Sequence, residues 1–132
     1  MPVPSVWFPS SASDNNAAMR LIAIPFAGGG ASNYAPLRDA APDWLDVQAA
    51  QLPGRESRMA ERPFSDMDEL IPALATAIKP LLDRPYALLG YSMGARIALN
   101  IAHQLALEGA PPPRTLIGAA HSAPSLPSRV PD

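Results

Sequence analysis

The stretch that most constrains this chain is Gly90-Tyr91-Ser92-Met93-Gly94, set between an apolar run, Pro85 to Gly90, and a helical stretch that continues to about Glu108. Strand, G-x-S-x-G and helix, in that order, describe a nucleophile elbow, a strained turn that lifts a serine hydroxyl above a sheet. Gly90 leaves room for the tight turn, and Gly94 lets the following helix press on the strands. An ordinary glycine-rich strand–helix turn also fits the five residues, but the apolar strand before and the helix after favour the elbow. Ser92 is therefore the candidate nucleophile.

The remaining chain supplies the sheet that such a turn needs. Residues 1–18 read as an irregular N-terminal arm with a short strand at Val6–Phe8, and residues 19–132 as part of one domain. Met19 to Pro25 is a short apolar run closed by proline, the pattern of a strand buried on both faces of a parallel sheet. Gly28, Gly29 and Gly30 follow, a loop whose backbone approaches a ligand closely or takes positive φ. A short helix is expected from about Asn33 to Ala40, stopped by Pro42, and a second strand from Trp44 to Ala50. A loop of about 15 residues, long for a compact domain and so a candidate for function, contains Leu-Pro-Gly-Arg-Glu. Ser65 and Asp68 have the spacing of a capping box, and Met67, Leu70, Ile71, Leu74, Ile78, Leu81 and Leu82 fall on one helical face. Pro72 lies inside that helix, where it removes a backbone donor. The helix after the elbow has a small apolar face of Ala95, Ala98 and Ala102 beside Ile97, Ile101 and Leu105, with Gly109 as its stop. Thr115 to Ala120 is a fourth strand. Strands alternating with helices across long connections predict an α/β fold with a parallel sheet.

Composition narrows the function classes. Of 132 residues 17 are proline, well above the usual value of about 5%, yet 48% are hydrophobic and the prolines sit at element ends. A globular chain is expected rather than a disordered one. The net charge is −2 with no block of like charge, so nucleic acid is not an expected partner. Without cysteine the chain has no disulfide, no thiolate nucleophile and no sulfur-based metal site, and only His103 and His121 carry imidazole. The longest apolar stretch, around Leu21 to Gly30, falls short of the roughly 20 residues of a membrane span. No signal-peptide pattern precedes Arg20, so a soluble cytoplasmic protein is the expectation.

An acyl-transfer serine needs donors for the oxyanion that forms. They are expected from the backbone N–H of Met93, after the serine, and from the turn after an earlier strand, where Ala27 is the candidate. The three glycines lack both the Gly-Lys-Ser/Thr ending of a phosphate loop and the spacing of a dinucleotide fingerprint.

Taken together, Leu21 to Gly30 (Leu-Ile-Ala-Ile-Pro-Phe-Ala-Gly-Gly-Gly), residues 51–58 (Gln-Leu-Pro-Gly-Arg-Glu-Ser-Arg), residues 66–70 (Asp-Met-Asp-Glu-Leu) and the elbow resemble the type II thioesterases of polyketide and nonribosomal peptide synthetases. The resemblance implies an α/β-hydrolase-type, mostly parallel sheet with flanking helices, incomplete at the C-terminal end and lacking the lid and last strands. It implies hydrolysis of acyl groups from the phosphopantetheine arm of an acyl or peptidyl carrier protein, with no cofactor or metal of the enzyme's own. Ser92 becomes the nucleophile, and the N–H groups of Met93 and Ala27 form the oxyanion hole. Tyr91 departs from the histidine common in the family, a difference expected in local packing.

The family's catalytic Asp and His lie after later strands, so this chain is expected to lack its family-matching base and acid. His103 lies about three helical turns, roughly 16 Å, beyond Ser92 and is expected to face solvent. His121, after the fourth strand, is the one imidazole with a claim to be a base, with a polar loop residue as the alternative. Asp66, Asp83 and Asp132 have only their carboxylates in their favour. Arg55 and Glu56 read as a loop ion pair or a contact to substrate or carrier protein, and Trp7, Phe8 and Trp44 as core or rim packing. Two further readings stay open: a noncatalytic remnant or carrier-protein-binding module, and an esterase or acyltransferase of the same fold. The oligomeric state is left open, and the apolar fourth strand is expected to form an exposed edge.

Overall fold

The structure, a computed structural model, describes residues 6–8, 16–25, 29–53, 58 and 66–119. Its centre is β1, Met19–Ile24, whose apolar run suits a strand covered on both faces. A 3-10 turn, Ala31–Tyr34, leads into α1, Ala35–Ala40, with Pro36 in the first turn, where a missing N–H does no harm. Helical structure thus begins at Ala31 rather than near Asn33. The strand β2, Leu45–Ala49, follows, then α2, Met67–Ile78, continued by a 3-10 turn at Lys79–Leu81. After β3, Tyr86–Tyr91, come α3, Met93–Leu107, and β4, Thr115–Ala119.

The four strands are all parallel, in the order β2-β1-β3-β4. This order places the reversal between β1 and β3, where the chain departs to opposite sides from adjacent strands. Ligands of open parallel sheets bind at that point, outside the carboxyl ends of the strands. Ser92 follows β3 directly, so the elbow stands at the reversal.

The larger core lies under α2 and α3. Ile22 and Ile24 of β1 and Tyr86 and Leu88 of β3 meet Leu70, Ile71, Leu74, Ala75 and Ile78 of α2 and Ile97, Ala98, Ile101 and Leu105 of α3. Phe8, from the arm, is buried in the same cluster, and Gln51 donates its N–H to the Trp7 carbonyl at 2.7 Å. The alternate strand residues Leu21, Val47 and Ala87 form a smaller cluster with Met19, Ala41, Leu45 and Leu89. Period-two alternation sends them to the opposite face.

Local chemistry sets the helix ends. The cap of α2 is Asp66, not a box begun by Ser65, which lies outside the described residues. The extended backbone of Asp66 lets its carboxylate accept the Asp68 N–H at 2.9 Å, and a negative charge suits the helix start. The helix runs through Pro72 on its exposed side, losing one backbone donor. Gly109 ends α3 at φ 74°, where Ala110 donates to the Leu105 carbonyl at 2.9 Å. Trp44 stands 56% exposed, on the rim of the molecule rather than in its core.

The amino end of the sheet holds a buried charge. Arg20, within β1, is fully buried; its Nε donates to Asp46 Oδ2 at 3.0 Å, and its guanidinium also reaches the Leu81 carbonyl at 3.0 Å and the Asp83 carboxylate. Gln48 donates to both Asp46 oxygens, at 3.0 and 3.1 Å. Five fixed donors on Arg can satisfy acceptors from several segments at once, which makes burial of this charge tolerable. Among the described residues β4 has no outer neighbour, and Leu116 and Ile117 are exposed on it. No helix among the described residues is long and apolar enough to cross a membrane.

Candidate active site

Steric necessity builds the elbow. A Cβ on Gly90 would lie 2.1 Å from the Gly94 carbonyl oxygen, and one on Gly94 would lie 2.4 Å from the Ile24 oxygen and 2.7 Å from that of Pro25. Both distances are far inside contact, so neither position admits a side chain while the backbone keeps this course. The close approach of Gly94 to Ile24 brings the start of α3 against the carboxyl end of β1.

Between these glycines Ser92 takes φ 57°, ψ −121°, the mirror image of extended backbone, and it is the one non-glycine residue with positive φ among the described residues. That conformation costs a residue with a Cβ about 1–3 kcal/mol and persists only where the surroundings enforce it. Ser92 is the N-cap residue of α3: its carbonyl accepts the Ala95 N–H at 2.9 Å, but its side chain makes no capping bond. A serine at this position ordinarily spends its hydroxyl on the helix. Here that capping bond is not made, and the residue stands at the positive end of a 15-residue helix. Met93, the first residue of α3, carries an N–H with no acceptor inside the helix.

The side chains flanking Ser92 are apolar and accessible: Tyr91 is 44% exposed and Met93 47%. Tyr91 ends β3 with its ring at the surface, so the residue before the serine is accommodated outside the core. Behind the elbow, the Tyr34 hydroxyl donates to the Ile24 carbonyl at 2.6 Å. Burial pushes this phenol up to about 12, partly offset by a hydrogen bond from the Tyr91 backbone.

The structure gathers some of the expected site residues and separates others. Ser92 and Met93 stand together at the reversal point. Ala27 lies outside the described residues, although Pro25 and Gly29 on either side of its turn are buried. His121, Asp132, Arg55 and Glu56 also lie outside them. His103 is exposed along α3, about three turns beyond Ser92. Asp83 precedes β3 and therefore lies at the opposite end of the sheet from Ser92, held by Arg20 and Arg84. Asp66 is occupied as the cap of α2. No cluster of His, Cys, Asp or Glu able to hold a metal occurs among the described residues.

Two further contacts involve Gln51 and Arg58, the ends of the 51–58 motif, whose partners the sequence did not reveal. Arg58 is buried, its guanidinium 4.3 Å from the centre of the Trp7 ring, and it donates to the Gln51 carbonyl at 3.1 Å. Gln51 in turn accepts the Ala31 N–H on its side-chain oxygen at 2.9 Å, tying the long loop to the 3-10 turn behind the elbow.

Comparison with known proteins places the family and the fold. Residues 19–130 match the thioesterase domain family. The gramicidin S biosynthesis protein GrsT of Aneurinibacillus migulanus is 36% identical over 121 residues, which are 92% of this chain and 47% of that protein. Among solved structures, the type II thioesterase BorB from the borrelidin biosynthetic cluster superposes with a TM-score of 0.79 at 35% identity, covering 95% of this chain and 51% of that one. YbtT, a type II thioesterase from the yersiniabactin NRPS/PKS biosynthetic pathway, does so with a TM-score of 0.73 at 28% identity, covering 88% and 47%. The chain spans about half the length of the relatives it matches.

Proposed function

The chain belongs to the thioesterase domain family, and from that premise we propose that it carries the nucleophilic half of a serine thioesterase acting on acyl groups bound to carrier-protein phosphopantetheine. The setting we propose is polyketide or nonribosomal peptide biosynthesis, in which BorB and YbtT are placed. The observation that carries the reading is the backbone of Ser92: a positive φ, enforced by two glycines without room for a Cβ, with the hydroxyl withheld from capping.

In this reading the Ser92 hydroxyl loses its proton to a base and its oxygen attacks the thioester carbonyl. The resulting oxyanion accepts hydrogen bonds from the Met93 N–H and, on the turn after β1, from the Ala27 N–H. Collapse expels the pantetheine thiol, which takes up the proton, and leaves an ester on Ser92 that water then cleaves. The base comes from outside the described residues. His121, which follows β4 in the chain, is the one imidazole of this chain with a claim to that role. Exposed Tyr91 and Met93 give the approaching acyl chain an apolar border. The protein needs no cofactor in this scheme, because the substrate arrives on its own prosthetic arm.

The test uses the full-length gene product, treated with a fluorophosphonate and weighed intact, beside its Ser92→Ala variant. A single adduct that disappears in Ser92→Ala is expected, together with a fall of at least about 1000-fold in hydrolysis of acyl-pantetheine thioesters. Undiminished hydrolysis by the variant overturns the assignment. A folded protein that forms no adduct yet binds carrier protein would mark a noncatalytic module, and faster turnover of oxygen esters would mark an esterase.

A further inference from the structure

A phenol occupies the fork at which the two central strands part. The register of β1 with β3 ends at Ile24 and Gly90. Tyr34, last residue of the 3-10 turn, reaches back into that fork: its hydroxyl donates to the Ile24 carbonyl at 2.6 Å and is bonded by the Tyr91 backbone. The same Ile24 oxygen lies 2.4 Å from where a Cβ on Gly94 would stand. One carbonyl therefore meets the phenol on one side and the start of α3 on the other, with Ser92 between Tyr91 and that helix. The phenol is itself firmly placed. Its turn is pinned by the Ala31 N–H on Gln51 at 2.9 Å and by the Gly30 N–H on the Asn33 side chain at 2.8 Å. A phenol is protonated, and so a donor, throughout the neutral range, and burial raises its value further.

We propose that Tyr34 is a positioning residue for Ser92, its hydroxyl fixing the separation of β1 from the elbow and with it the aim of the serine oxygen and the Met93 N–H. This inference rests on the nucleophilic role proposed for Ser92. Neutral hydrogen bonds contribute little net stability, because folding exchanges them for bonds to water. A displacement of about 1 Å at a reacting centre costs about 100-fold in rate. A positioning role therefore predicts a loss of rate out of proportion to the loss of stability.

The test is Tyr34→Phe in the full-length gene product, which keeps the ring and removes the hydroxyl. Fluorophosphonate labelling of Ser92 should still run to completion, but with a limiting rate lower by roughly 10- to 100-fold and a half-saturating concentration within about twofold of the parent. A second measurement does not depend on catalysis. With Ser92→Ala as background, Tyr34→Phe should speed amide hydrogen exchange at Tyr91 and Met93 by about tenfold while leaving Leu88 unchanged. Unchanged labelling, or incomplete labelling at the parent rate, overturns the proposal, because the latter reports misfolded molecules rather than misaimed ones. Exchange that is unchanged, or that rises evenly along β1 and β3, overturns it as well. If the parent itself does not label, the role given to Ser92 fails, and the exchange experiment alone decides whether the phenol holds the fork.

Discussion

The two ends of β1 are held by opposite means. At the amino end Arg20 is fully buried and tied to Asp46, Asp83 and the Leu81 carbonyl, so charge and directed hydrogen bonds join β1 to β2 and to the end of α2. At the carboxyl end, Ile24 is met by a neutral phenol and by the bare backbone of Gly94. The amino end depends on a buried charge meeting its partners; the carboxyl end depends on the absence of side-chain atoms at Gly94. The amino end can thereby be disturbed without touching the chemistry, whereas a change at the glycines of the carboxyl end disturbs both.

The largest effect is expected at the amino end. Arg20→Ala leaves Asp46 buried without its partner and should lower unfolding free energy by about 3–5 kcal/mol in urea titrations. The folded fraction should still label at Ser92 at the parent rate, and a slower rate in folded molecules would break the division. Gly90→Ala should cost about 3 kcal/mol, because its Cβ would meet the Gly94 carbonyl, and labelling should also fall by at least about 100-fold. Parent-like labelling of that variant would show that the elbow does not depend on the close approach.

Ser92→Gly runs in the other direction. Glycine adopts the mirror-extended conformation without strain, so this variant should be more stable than the parent by about 1 kcal/mol while losing its nucleophile. A drop in stability would mean that φ 57° is not strained here. The smallest effect is electrostatic. Burial opposes ionisation of Asp83, but the hydrogen bond from Arg84 and the charge of Arg20 outweigh it and hold the carboxyl below its usual range. The stabilisation from this group is present above its unfolded-state value, about 4, and is lost as pH falls through the depressed folded-state value. Because Asp83 is about half exposed, Asp83→Asn should remove no more than about 1 kcal/mol, seen in the neutral range and vanishing at low pH, where the parent has already lost this stabilisation.

The same contrast explains what could be read from the chain alone. Ser92 was legible because the signature of an elbow is local, five consecutive residues between an apolar run and a helical stretch, even though the contacts of Gly94 with Ile24 and Pro25 that hold it are not. The strands β1 and β3 and the helices α2 and α3 were legible from unbroken apolar runs and helical spacing. Arg20 was not, since nothing in Met-Arg-Leu-Ile-Ala-Ile announces that the charge points inward, and its partners come from Asp46, Leu81 and Asp83. Tyr34 escaped for the same reason, being one aromatic residue after a glycine turn whose contacts depend on how β1 and β3 align. The choice of Asp66 over Ser65 as cap depends on a single backbone conformation, a margin that residue preference does not resolve.

The parallel pairing of β1 with β3 also sets an order of events. Arg20 lies opposite Tyr86, so the loop that closes their ladder contains β2, α1 and α2. Closing so long a loop is paid for in chain entropy before it returns any contact, and such non-local pairing slows folding. By contrast β3, α3 and β4 are neighbours in sequence and form a βαβ unit with short-range contacts. As the chain emerges from the ribosome, β1 waits without its second neighbour until β3 has been synthesised. The fork that aims Ser92 can form only once that neighbour arrives, so the serine's conformation belongs to the late, long-range stage of folding and not to the local stage in which its own helix first winds.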